Sequence, residues 1–151
     1  MSTLGRQTLL WMIPLNLLLV AWVWIGRVVF GVGGWFLLIY LVSVVPVLLI
    51  GLLLTTILAY TQDARPRHLT RLQAFAQVAT WAGMFGFGLF SPDFGDTEDS
   101  ATSVLTQAFG YSDALYDLSF TLTLAAGAFT VFAYAVLLGA LIFGRQEPAA
   151  G

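Results

Sequence analysis

Cysteine is absent from this chain, and so is lysine. Without a thiol there are no disulfides, no thiolate metal sites and no cysteine nucleophile. Charge is scarce too: Asp, Glu, Lys and Arg make up 9% of the 151 residues, against roughly 25% in an ordinary soluble domain. Six bases against eight acids leave a net charge of −2, which lacks the basic footprint of a nucleic-acid binder. No Gly-rich phosphate cradle, no metal-ligand spacing and no paired carboxylate within an apolar run occurs anywhere. Gly83, Gly86 and Gly88 stand inside a long apolar stretch and read as packing residues.

What is there is apolar: 59% of the residues are hydrophobic and the mean hydropathy is +0.88. Such a surface belongs in lipid, so an integral membrane protein is expected, in one domain at this length. A charge at mid-bilayer costs about 2.5–3.5 kcal/mol on insertion scales, so charged residues act as punctuation. Between Arg6 and Arg27 lie 20 uncharged residues, between Arg27 and Asp63 35, between Arg71 and Asp93 21, and between Asp117 and Arg145 27. About 20 apolar residues cross the hydrocarbon core, and each run is long enough for one crossing. In the longest run, Gly31-Val32-Gly33-Gly34 reads as a loop, leaving a single span from Trp35 to Tyr60.

The expected fold is therefore all-α, a compact antiparallel four-transmembrane-helix bundle. Its helices fall at about 8–29, 35–60, 72–91 and 119–143, in a single domain over 1–151. The first span exceeds the roughly 7–15 apolar residues of a signal peptide and lacks a small-x-small cleavage site, so it reads as retained. Span 1, rich in Leu, Val and Trp, is expected to face lipid most. Spans 2, 3 and 4, with small residues spaced for close packing, are expected to be innermost.

With four crossings, Arg6, Arg65, Arg67, Arg71 and Arg145 share one side and Arg27 stands alone on the other. The positive-inside rule makes the arginine-rich side cytoplasmic, with both termini there. Trp22, Trp24 and Trp35 then form an outer aromatic belt. The connection between spans 3 and 4, residues 92–118, lies outside and holds six of the eight acids. Its second half spaces Val104, Leu105, Ala108, Phe109, Tyr111, Leu115 and Leu118 three and four apart. That pattern predicts a short interfacial helix, which Gly110 is placed to break, with a mobile loop as the alternative.

Five uncharged polar residues, Asn16, Thr55, Thr56, Gln77 and Tyr134, fall at similar depth in the inner half of the spans. They read first as hydrogen-bonding glue between helices and second as a pocket for a polar headgroup or small neutral ligand. Arg65, Arg67 and Arg71 are candidate contacts for anionic headgroups beyond their role in setting topology. Asp93, Asp96, Glu98 and Asp99 form an acidic outer loop with enough carboxylates to interest calcium, but without the EF-hand spacing; a solvated loop is the plainer reading. His68 sits among arginines on the side opposite those acids, which rules out catalysis with them. Apart from Arg27 at the outer end of the first span, no Asp, Glu, Lys, Arg or His falls inside the spans, so the intramembrane carboxylate of small proton-coupled exporters is missing.

These features lead to an expectation of no cofactor, no bound metal and no enzymatic activity. The chain is expected to be an accessory or partner-binding protein of a cell membrane, with the bilayer and another membrane protein as its partners. An oligomeric transporter or channel for a neutral or lipid-like solute is the alternative. Arg without Lys, together with many Ala and Gly, points to a GC-rich bacterial genome and hence a bacterial plasma membrane.

Overall fold

The computed structural model describes residues 3–63, 67–97 and 100–144. Its regular structure is helical, apart from one antiparallel bridge between Asp93 and Thr102. The elements run α1 (Thr3–Ile25) with a 3-10 turn at Gly26–Phe30, α2 (Trp35–Val42), α3 (Val44–Tyr60), α4 (Arg71–Phe90), α5 (Val104–Phe109) and α6 (Asp113–Phe143). Three segments are long and apolar enough to cross a membrane, Thr3–Phe30, Trp35–Tyr60 and Asp113–Phe143. The fourth long helix, α4, carries Gln73, Gln77 and Thr80 and falls short of that apolarity.

Local chemistry sets the helix ends. Thr70 and Gln73 start α4 with a capping box: the Gln73 amide donates to Thr70 Oγ1 at 3.2 Å, and the Thr70 amide donates to Gln73 Oε1 at 3.0 Å. Ser103 and Thr106 do the same for α5. Gly110 ends that helix with φ +90°, where a side chain would be strained. Ser112 then caps α6, its Oγ accepting from the Leu115 amide at 3.2 Å. The last span's helix thus begins at Asp113 rather than near 119. An acid ends the apolar crossing but suits the first turn of a helix, where its charge meets the positive end of the dipole. Between α2 and α3 the helix breaks at Ser43, three residues before Pro46.

The packing order around the bundle is α1, α4, α6, α3. α4 is the central helix, packed most closely on α6 and then on α1, and α3 barely meets α6. The central place of α4 fits span 3 as an inner helix, but the expected ranking of span 1 against the others is reversed. The most apolar stretch of span 1 is 39% buried and that of span 2 only 11%. Bulky side chains pack well when the neighbour is small: a Cβ on Gly88 of α4 would stand 2.7 Å from Trp22 Cδ1 and 3.0 Å from Val23 Cα. Trp22 of α1 therefore sits on a glycine of α4, while Trp11 faces outward.

On the other side of α4, a Cβ at Gly83 would lie 2.3 Å from Thr130 Oγ1 and 3.1 Å from Thr130 Cα. Gly83→Ala must push α4 and α6 apart and should cost about 1–3 kcal/mol, more than offsetting the roughly 1 kcal/mol by which Ala favours helix over Gly. Gly139→Ala on α6, with nothing within 4 Å of its Cβ, should be neutral or slightly stabilising. Thermal unfolding of both variants in the same detergent checks the pair. Equal melting temperatures would mean that the α4–α6 contact is not close-packed.

Candidate functional site

Among the described residues, two buried polar clusters include residues singled out from the sequence. The first lies between α1, α3 and α4 and centres on Asn16, which is buried. Its Nδ2 donates to Thr56 Oγ1 at 3.2 Å, while its Oδ1 accepts from Gln77 Nε2 at 3.3 Å and from Trp81 Nε1 at 2.8 Å. The Thr56 hydroxyl donates onward to the Leu52 carbonyl at 2.6 Å. Three of the five polar residues singled out by depth thus meet directly. Thr55 spends its hydroxyl on its own helix, at the Leu52 carbonyl 3.2 Å away. Tyr134 reaches α3 from the other side, donating to the Gly51 carbonyl at 2.8 Å. Trp81 was not singled out from the sequence. It stands one helical turn beyond Gln77, on the same face of α4, and that spacing was the available signal.

Asn16 and Thr56 also border an apolar cavity of about 290 Å³ between α1 and α3, lined otherwise by Ile13, Leu17, Val20, Leu49, Leu52 and Leu53. Two further apolar cavities, about 140 and 170 Å³, lie between α3 and α6 and share Leu48, Met84, Thr130 and Val131. The hydroxyls bordering the larger one are already spent: Thr80 donates to the Ala76 carbonyl, Thr130 to that of Ala126, and Tyr134 to that of Gly51. α3 is therefore flanked on both sides by open apolar space.

The second cluster is at the opposite end of α1 and gathers around Asp93. Arg27 and Asp93 are both 0% exposed and form an ion pair, with Nε and Nη2 of Arg27 at 3.2 and 3.1 Å from Oδ2 of Asp93. The guanidinium also lies 4.7 Å above the Tyr40 ring, and the Tyr40 hydroxyl bonds Ser91 Oγ. Asp93 Oδ1 accepts the Phe36 and Phe94 amides, each at 2.9 Å. Gly34, the residue before α2, has no side chain to cap that helix, so Asp93 supplies the missing acceptor from across the molecule. Next to it, the Trp35 amide donates to the Phe94 carbonyl at 2.9 Å, and Trp35 Nε1 donates to Asp96 Oδ1 at 2.7 Å. A Cβ on Gly34 would lie 2.1 Å from the Phe94 carbonyl oxygen, which is why only glycine fits there.

Arg27 and Asp93, expected to stand in water at the ends of their runs, are thus buried against one another. Opposite charges that pair and accept backbone donors can leave water together, whereas neither could do so alone. Asp96 is exposed and bonded to Trp35, while Glu98 and Asp99 lie outside the described residues. Among the described residues, no three of His, Asp and Glu are grouped so as to hold a metal ion. Of the three basic candidates, Arg67 and Arg71 are exposed and Arg65 lies outside the described residues. Further along the loop the Tyr111 hydroxyl donates to Asp113 Oδ1 at 3.1 Å, and that bond to the carboxylate holds its pKa above the ordinary tyrosine value.

Chemically, the Asn16 cluster joins helices and the Asp93 cluster ties three chain segments together at a single carboxylate. Neither sets a nucleophile beside a base. No family model, curated protein or solved structure is similar to the chain.

Proposed function

We propose that this chain is a multi-pass protein of a bacterial plasma membrane that crosses the bilayer four times and works through lateral contacts, as a non-enzymatic partner-binding or accessory subunit. In this reading α4 is the fourth crossing, its amides shielded by α1 and α6. Both termini and the connection between spans 2 and 3 face the cytoplasm, and α5 lies in the outer headgroup region. The observation that carries the reading is the exposure of the second span: its stretch is only 11% buried, and apolar cavities flank it on both sides. Val47, Ile50, Leu54 and Ile57, spaced three and four apart, form an exposed apolar stripe along it. The polar side chains that a solute route would need are engaged with one another.

A photoreactive amino acid at Ile50, irradiated in native membranes, should give one protein adduct of defined mass. The same group at Leu124, on the exposed side of α6, should give lipid adducts only. An adduct of twice the chain mass would favour the oligomeric transporter. Lipid adducts alone from both positions would remove span 2 as a contact surface.

A further inference from the structure

At the end of the bundle where α1 and α4 begin, three arginines are drawn together by one buried leucine. Leu69 is fully buried, packed with Leu9, Met12, Ala59, Ala74, Leu137 and Leu141. Its amide donates to the Gly5 carbonyl at 3.3 Å, which fixes the 67–70 segment against the first turn of α1. Arg6 follows Gly5 directly, while Arg67 and Arg71 stand two residues to either side of Leu69; all three are exposed. The first turn of α4 contains no acid, so no carboxylate of that turn offsets the positive end of the helix beside the guanidinium charge. Immediately beyond Arg71 the surface turns apolar, with Leu72 and Phe75 exposed and Phe75 one turn along on the same face as Arg71.

Guanidinium groups above an apolar wall complement an anionic amphiphile: a phosphodiester accepts from the planar forks while its acyl chains lie along the wall. We propose that Arg6, Arg67 and Arg71 form a binding site for the phosphodiester headgroup of an anionic phospholipid, with Leu72 and Phe75 bordering its chains. The site rests on the membrane reading given above. It asks more than the positive-inside rule, because Leu69 gathers the charges at one place on the rim instead of leaving them distributed along a loop.

The full chain, reconstituted in phosphatidylcholine bilayers, is probed with trace spin-labelled phosphatidylglycerol and spin-labelled phosphatidylcholine, and the protein-immobilised fraction of each is compared. The wild type should prefer phosphatidylglycerol, by up to about fivefold for each arginine that engages it. The preference should fall to parity in Arg6→Gln/Arg67→Gln/Arg71→Gln and decline stepwise in the three single variants, which guards against misfolding of the triple. Excess inorganic phosphate should leave the wild-type preference intact. Parity in the wild type, an undiminished preference in the triple variant, or loss of the preference to inorganic phosphate would each overturn the headgroup site. Release of the wild-type chain from membranes by alkaline carbonate would instead overturn the membrane reading, and this site with it.

Discussion

Replacing Arg27 with methionine should destabilise the fold by about 3–5 kcal/mol, because it strands a carboxylate that has no access to water. Asp93→Asn should cost at least as much. Left without Arg27, the carboxylate still accepts the Phe36 and Phe94 amides at 2.9 Å. Left without Asp93, the guanidinium has the Tyr40 ring at 4.7 Å and faces an amide that can turn donors towards it. Nη1 of Arg27 already lacks a hydrogen-bond partner among the described residues, so this cation is the less well satisfied of the two. The double variant Arg27→Met/Asp93→Asn should recover most of the loss: no buried charge remains, and the asparagine oxygen still caps α2. Unfolding in mixed micelles with rising dodecyl sulfate, followed by helical circular dichroism, gives all three values and their coupling. Single variants within about 0.5 kcal/mol of wild type would mean that the pair is solvated and that Asp93 does not hold that end of the bundle closed.

The same pair marks where sequence reading stops. Charges located the long helices well, since α1, α4 and α6 each have an Arg or Asp at or near an end and α2 follows the Gly-rich 31–34 stretch. The inference treats each charge as isolated and in need of water. Arg27 and Asp93, 66 residues apart, break that assumption together, and nothing local to either residue announces the partner. Burial order failed for a related reason. Counting small residues helix by helix identifies surfaces that can approach closely, but packing needs a large face against a small one. Trp22 on Gly88 is such a fit, and the Leu- and Trp-rich first span is the most buried of the three most apolar segments. The small residues of span 2 are no guide either. Gly51 meets the Tyr134 ring, yet Val47, Ile50, Leu53, Leu54 and Ile57 of that helix stay exposed.

The polar layer was half legible. Depth along each helix placed Asn16, Thr56 and Gln77 together, because rise per residue is fixed by helix geometry. Rotation about the helix axis is not fixed by depth, and it turns Thr55 onto its own backbone and brings in Trp81.

Asn16→Leu should cost about 2–4 kcal/mol, because three hydrogen bonds end at this one amide, each worth about 0.6–1.7 kcal/mol. Gln77→Leu removes one of the three and should cost about 1 kcal/mol, with some relief because Gln77 Oε1 has no partner among the described residues. Trp81→Phe keeps the ring, loses only the indole donor and should cost about as much. That ordering separates the two readings of the layer. Glue predicts that stability falls in proportion to bonds lost, with no solute flux in liposomes from wild type or variant. A route for a neutral solute predicts wild-type flux that Asn16→Leu abolishes while the melting temperature barely moves. The geometry favours the first outcome: the cavity beside Asn16 is walled by Ile13, Leu17, Val20, Leu49, Leu52 and Leu53, and the amide's oxygen is already shared by two donors. A polar solute entering there would meet hydrocarbon on nearly every side.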